Sequence, residues 1–186
     1  TAASPRTTTG GTTAPLRWPI EVPTGVWVRT LRTTWIEPAY LEPDASWCEP
    51  GGEPMSSHGN GGAFGGKEGG ELGAVARRLA DEHGRTVRVL ATREDVVRFG
   101  AKRPPLAAGV RADGTGTVHV ARTAGVADAI RSAAPTFDVV EVDVVGPPTS
   151  VALRGAGWVE AAVLLASLQD GPWYTVTAPG GGSIKG

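Results

Sequence analysis

A glycine-dominated stretch at residues 57–70 constrains the fold of this chain more than any other feature. Glycine has no side chain and tolerates positive φ, so the stretch predicts a loop whose backbone can approach a bound molecule closely. The loop runs into a predicted helix near Glu71, and the free N–H groups at a helix N-terminus suit phosphate. Two interpretations stay open from these residues: a loop wrapped around an anionic or polar cofactor, and a plain flexible linker.

Composition excludes several classes of protein. The chain has 186 residues, of which 40% are hydrophobic, which suits one domain with a buried core. Its 18 Lys+Arg and 19 Asp+Glu give a net charge of −1, which argues against nucleic-acid binding by charge alone. Cys48 is the one cysteine, so the chain holds neither a disulfide framework nor a four-cysteine metal site. This usage fits a reducing, cytoplasmic setting.

The two ends differ in composition from the middle. No apolar run approaches about 18 residues, so we predict no membrane span. The N-terminus lacks the basic-then-apolar layout of a secretory signal. Residues 1–14 are mostly Thr, Ala, Gly and Ser and predict a flexible tail, and residues 179–186 predict a Gly-rich flexible end. The predicted domain therefore spans residues 15–178.

Apolar spacing predicts an alternation of helices and strands. Helices are predicted over residues 72–80, 93–99, 124–134 and 159–168. Strands are predicted over residues 26–31, 86–91, 106–112, 117–122 and 137–145. Thr92 and Asp95 have the spacing of a capping box, and Asp113-Gly114 predicts a hairpin. Four prolines break up residues 37–56, so we expect an ordered but irregular segment there. The pattern indicates a mixed α+β or α/β layer domain, and we predict the α+β form, in which helices pack on a mixed sheet.

The glycine loop fails two familiar phosphate-binding patterns. Gly61 and Gly66-Lys67 have the spacing of a Walker A loop, but Glu68 stands where a Ser or Thr must bind Mg²⁺. A dinucleotide G-x-G-x-x-G pattern fails because Phe64 stands where its third glycine belongs. A nucleotide-binding loop of either type is therefore disfavoured.

The same loop resembles a different motif. GGAFGGKE at residues 61–68 is similar to the molybdopterin-contacting GGGFGGKE motif of the xanthine dehydrogenase/aldehyde oxidase family. AYLEP at residues 39–43 and LRGAGWVEA at residues 153–161 resemble two further segments of that family in the same order. Residues 87–103, with a TRED turn and a basic run, match between them. The resemblance covers residues 35–165 and implies the fold of the family's first molybdopterin-binding domain.

The resemblance implies roles for single residues. Phe64 and Gly65 would lie beside the molybdenum centre, with the Gly65 amide donating to a metal-bound oxygen. Glu68 would be the catalytic, substrate-facing carboxylate. The implied cofactor-binding residues, which hold molybdopterin largely through their backbone, are Gly62, Phe64, Gly65, Gly66, Arg154, Gly155 and Ala156. A Gly65→Val variant is accordingly expected to lose the cofactor with the fold intact.

This chain also departs from the family. We expect no counterpart in these residues of the family's second molybdopterin-binding domain, which supplies another catalytic glutamate. The stretch between Trp47 and Gly61 is shorter and lacks a glutamine that reaches the metal, and the family's Gln and His before AYLEP are Ile36 and Pro38. We therefore expect the missing domain to come from a second molybdopterin-binding chain. Electrons would leave through iron–sulfur and flavin subunits.

The implied function is that of a molybdopterin-binding subunit, or split part, of a hydroxylase acting on an aldehyde or N-heterocycle. One alternative is a catalytically silent relative that serves as an interaction or assembly module. Another is an enzyme that reuses the glycine loop for a different anionic ligand.

Other polar residues have simpler interpretations. Cys48 is predicted to be structural. Three histidines lack metal-ligand spacing: His58, His83 and His119. Four basic residues are predicted to form a solvated face, with a phosphate-binding cluster as the alternative: Arg98, Lys102, Arg103 and Arg111.

Overall fold

The computed structural model describes residues 17–38, 43–56, 63–67, 71–169, 175–177 and 183–185. Within these residues the chain has the predicted α+β fold, with a mixed sheet and four helices. In chain order the elements are β1 (Arg29–Arg32), β2 (Ala45–Cys48), β3 (Met55–Ser56), α1 (Leu72–His83), β4 (Val87–Leu90), α2 (Arg93–Phe99), β5 (Leu106–Val110), β6 (Gly116–Ala121), α3 (Val126–Ala133), β7 (Phe137–Val142), α4 (Trp158–Ala166), β8 (Thr175–Thr177) and β9 (Ser183–Lys185).

The main sheet has four strands in the order β1, β5, β6, β7. β5 is antiparallel to β1 and β6, whereas β7 runs parallel to β6 because α3 forms the crossover between them. Helices α3 and α4 pack against each other and against this sheet. Leu106, Val118 and Ile130 are buried in the resulting core. Burying one such side chain contributes about 1.5–3 kcal/mol, so this layer holds the fold together.

A smaller antiparallel sheet has the order β3, β2, β4. Helix α1 packs on it through Ala76 and Ala80, which are completely buried in one cluster with Cys48. The small alanine side chains let the helix approach the sheet closely. The Cys48 thiol is free but buried, as expected of a structural cysteine.

Local sequence signals explain where several elements begin and end. α1 ends at Gly84, which adopts φ 59°. The predicted capping box starts α2: the Thr92 hydroxyl accepts from the Asp95 N–H, and the Asp95 carboxylate accepts from the Thr92 N–H, each at 3.0 Å. The hairpin turn between β5 and β6 contains Gly114 at φ 81°. These three predictions are confirmed.

The proline-rich segment differs from its prediction. Strands β2 and β3 form where we expected irregular structure. Pro43, Pro50 and Pro54 flank these strands and do not interrupt them, so the ladder keeps its backbone donors. β1 also begins later than predicted, at Arg29.

The ends of the chain are only partly described. The predicted tail at residues 1–14 lies outside the described residues. Within the predicted Gly-rich end, Ser183–Lys185 pairs with Thr175–Thr177 as an antiparallel hairpin that the predicted elements do not include. Among the helices that the structure describes, none has the length and apolar character needed to cross a membrane.

Candidate functional site

The described part of the glycine loop, residues 63–67, is a tight turn. The Gly66 N–H donates to the Ala63 carbonyl at 2.8 Å. Gly65 has φ 93°, and Phe64 has φ 48°, a left-handed conformation found at no other non-glycine residue among those described. The Phe64 side chain is nevertheless half exposed, so core packing does not explain its strained backbone. Such strain persists where the surroundings enforce it, and it is concentrated at functional sites.

The turn docks on the segment that precedes α4. The Arg154 N–H donates to the Phe64 carbonyl at 2.8 Å. A Cβ added at Gly65 would lie 1.9 Å from the Ala152 carbonyl oxygen, so only glycine allows this approach. The structure therefore brings together two segments that are far apart in sequence. They contain six of the residues assigned to the cofactor: Phe64, Gly65, Gly66, Arg154, Gly155 and Ala156.

This packing changes the expectation for Gly65→Val. We expected a side chain at Gly65 to obstruct a ligand and leave the fold intact. The space beside Gly65 is instead filled by the protein's own Ala152 carbonyl. A substitution there must first displace the loop from residues 152–154.

Two ion pairs hold the surrounding backbone. Lys67 Nζ lies 3.2 Å from Asp44 Oδ1, which ties the turn to the start of β2. Lys102 is buried, and its Nζ lies 2.7 Å from Glu37 Oε2. The Lys102 N–H donates to the Pro148 carbonyl at 2.9 Å, which connects this pair to the segment leading into residue 152.

Arg103 also holds the backbone around the turn. Its Nη2 donates to the Gly155 carbonyl at 3.1 Å and also to Glu160 Oε1 on α4. Glu160 is buried. The predicted solvated face of basic residues is therefore wrong for Lys102 and Arg103. Each pairs with a carboxylate distant in the chain, a contact that local composition does not reveal.

A cleft of about 500 Å³ opens beside the turn, between α1, β4 and α2. Its lining includes Gly66, apolar side chains such as Val75 and Phe99, and the acids Asp44 and Glu71. A carboxylate at the N-terminal end of α1 repels an anion that the helix dipole would otherwise attract. This arrangement disfavours the phosphate-binding interpretation of that helix terminus.

Two predicted site residues fall outside the described residues: Gly62 and Glu68. The same holds for most of the AYLEP segment, residues 39–42. No group of three or more His, Cys, Asp or Glu side chains that could hold a metal ion occurs in the described part of the chain.

The backbone offers unpaired donors where the resemblance places the cofactor. Neither the Gly65 N–H nor the Gly155 N–H makes a hydrogen bond within the residues that the structure describes. Gly65 directly follows Phe64, and Gly155 directly follows Arg154. The Arg154 N–H donates to the Phe64 carbonyl. Within those residues both amides are therefore free donors, Gly155 in a buried position and Gly65 in a partly buried one.

Comparison with known proteins adds a likeness of fold. No protein-family model and no curated protein sequence matches the chain. Among solved structures, the chain is similar to the aldehyde oxidoreductase of Desulfovibrio gigas, with 17% identity and a TM-score of 0.45. The match covers 70% of this chain and 21% of that protein, so this chain spans about one fifth of its length. The likeness is weak and partial and extends to the fold alone.

Proposed function

We propose that this chain is the first molybdopterin-binding part of a xanthine dehydrogenase/aldehyde oxidase-like hydroxylase. The observation that carries the proposal is the docking of the Phe64–Gly65 turn on residues 152–156. Two motifs that resemble the same family were separate in the sequence, and the fold joins them through the bond between Phe64 and Arg154.

The residues fit a pterin in their chemistry. A pterin is a flat heterocycle whose edge carries amide-like donors and acceptors. The Gly155 amide supplies a matching backbone donor, and the Gly65 amide would be a donor beside the metal centre. The half-exposed ring of Phe64 offers an apolar surface next to them. When bound, the molybdenum cofactor would supply the redox chemistry that oxidises an aldehyde or N-heterocycle carbon with oxygen from water. This chain would hold and orient the group, with Glu68 facing the substrate.

The proposal includes partners. A second molybdopterin-binding chain would complete the site, and iron–sulfur and flavin subunits would accept the electrons, since one buried cysteine cannot ligate a cluster. The rival functions make different demands. An interaction module needs no cofactor, and an enzyme using another anion needs a free basic group at the loop, whereas Lys67 is paired with Asp44.

The test is elemental and pterin analysis of the protein purified in its native complexes. We expect molybdenum and a releasable pterin to co-elute with this chain. A complex that contains the partner chains but neither molybdenum nor pterin would favour the interaction module. A bound anion of another type would favour the second rival.

A further inference from the structure

We propose that Arg103 is a positioning residue that sets the backbone of residues 153–157 through the carbonyl of Gly155. The inference rests on the proposed function, because these residues are the part of the site assigned to the pterin. It assigns a role to a side chain that itself belongs to neither ligand-facing segment.

Gly155 is held through its backbone alone. It has φ 74°, and a Cβ added there would lie 2.3 Å from Val159 Cγ2, so the position excludes a side chain. Its carbonyl accepts from the Val159 N–H at 3.1 Å and from Arg103 Nη2 at 3.1 Å. One carbonyl therefore anchors both the first turn of α4 and the Arg103 guanidinium.

Arg103 can act as a brace because its own backbone is fixed. Its N–H donates to the Ile36 carbonyl at 3.0 Å, and its carbonyl accepts from the Ile36 N–H at 3.3 Å. On the other side, the Lys102 carbonyl accepts from the Ser150 N–H at 3.0 Å. The side chain thus projects from a segment that is bonded on both edges.

Arg103 and Glu160 make only one of the two hydrogen bonds that their side chains could form with each other. Nη2 serves both Glu160 Oε1 and the Gly155 carbonyl. Arg103 Nε and Glu160 Oε2 are buried and, within the described residues, have no hydrogen-bond partner. A side-on, two-bond pairing of guanidinium and carboxylate would use both atoms. The geometry keeps the contact with Gly155 at the expense of that second bond, which a purely structural ion pair has no reason to do.

The Arg103→Lys variant separates the ion pair with Glu160 from the hydrogen bond to the Gly155 carbonyl. Lysine keeps the charge beside Glu160 but lacks the planar fork that reaches two acceptors at fixed angles. We expect the amide of Arg154, which donates to the Phe64 carbonyl, to exchange its hydrogen about tenfold faster or more, because a charged hydrogen bond that holds the segment is lost. Arg122→Lys is the matched control, since Arg122 pairs with Asp143 at 2.7 Å on the main sheet.

Arg103→Met/Glu160→Met keeps the test decisive if the single variants unfold. Apolar replacement of a buried pair restores stability in many proteins, yet it leaves the Gly155 carbonyl without its donor. We expect this variant to fold with fast exchange at Arg154. Exchange at the wild-type rate in either variant would overturn the proposal.

The readout is independent of the cofactor, because exchange is measured on the chain itself by NMR. A wild-type protein without molybdenum would reject the proposed function and leave the exchange result standing. In complexes that contain molybdenum, we expect Arg103→Lys to weaken pterin retention about 10- to 100-fold, the effect typical of residues that orient a ligand-binding group. Unchanged retention would also count against the positioning role.

Discussion

At the scale of single residues, the site depends on backbone that the protein shapes for itself. Sequence reasoning identified Gly65 as a position that needs glycine and assigned the need to a ligand. The structure gives a nearer cause, the Ala152 carbonyl. It does not test the cofactor assignment, which stays a prediction.

Gly65→Ala should therefore destabilise the fold more than the same substitution at a left-handed glycine with open space around it. Gly84→Ala is the matched control, because Gly84 has φ 59° and nothing within 4 Å of an added Cβ. Both variants bear the left-handed cost of about 1–2 kcal/mol, and only Gly65→Ala adds the clash. Urea unfolding should show an extra loss of at least about 1 kcal/mol for Gly65→Ala. Equal losses would mean that the loop is not docked on Ala152.

A second prediction about a single residue concerns Glu68 and comes from the resemblance alone. Glu68→Gln keeps the size of the side chain and removes its charge. We expect slower turnover or weaker substrate binding, measured as kcat and KM, with unchanged molybdenum in the same preparation. Glu71→Gln is the control. If Glu68 only stabilises the following helix, which acids near a helix start do by about 0.3–1 kcal/mol, the variant would lose slight thermal stability and keep normal kinetics.

Charge at single residues was the hardest feature to predict. Lys102 and Arg103 follow a helix and precede two prolines, a context typical of exposed bases. Their burial depends on Glu37 and Glu160, and Glu160 lies 57 residues from Arg103. Pairing at such separation is decided by how the elements pack, so no local pattern contains it.

At the scale of elements, periodic segments were predicted well and the two strands of the proline-rich segment were not. α1 and α4 extend over enough turns for the 3.6-residue period to be visible. β2 has four residues and β3 two, and both lie among the prolines of a segment whose composition predicts irregular structure. β2 pairs with both β3 and β4, and these contacts form only in the folded chain.

The start of α2 makes a pH-dependent prediction. The Thr92 hydroxyl and the Thr92 N–H, both bonded to the Asp95 carboxylate, hold the Asp95 pKa below its ordinary value. A pKa lowered by folding stabilises the folded state above the unfolded value of about 3.9, and the benefit disappears as pH falls through the folded value. We expect wild type to be more stable than Asp95→Asn at pH 7.

That difference should shrink as pH falls from about 4 through the lowered folded pKa, below which Asp95 is as uncharged as asparagine. Thermal melts across pH 2–7 provide the measurement. Glu94→Gln, which changes a neighbouring acid outside the capping box, is the control and should show a weaker dependence. A difference between wild type and Asp95→Asn that stays constant from pH 7 to pH 2 would rule out the charged cap.

At the scale of the whole molecule, the fold gathers segments that the sequence keeps apart. Backbone hydrogen bonds connect three segments: residues 35–37, 101–103 and 148–156. The last of these segments is also bonded to the Phe64–Gly65 turn. Sequence reasoning could select these segments by resemblance. It could not foresee that one arginine joins two of them, because the contact is a product of the tertiary structure.

For the whole molecule, we predict that this chain works in association with partner chains. If another chain completes the site, the isolated protein should lack hydroxylase activity and gain it with its partners. Exposed valines such as Val26 and Val145 supply apolar surface that such partners could cover. Gel filtration combined with activity assays at micromolar concentration checks this. A monomer with full activity by itself would exclude the split-subunit hypothesis.

The most direct test of the central claim is the molybdenum and pterin content of three proteins purified in the same native complexes: wild type, Gly65→Ala and Gly84→Ala. We predict that wild type and Gly84→Ala retain both components, because the docked turn is intact. Gly65→Ala should lose them, since its side chain separates the turn from residues 152–154. Retention by Gly65→Ala at the wild-type level, or absence of molybdenum and pterin from the wild-type complex, would contradict it.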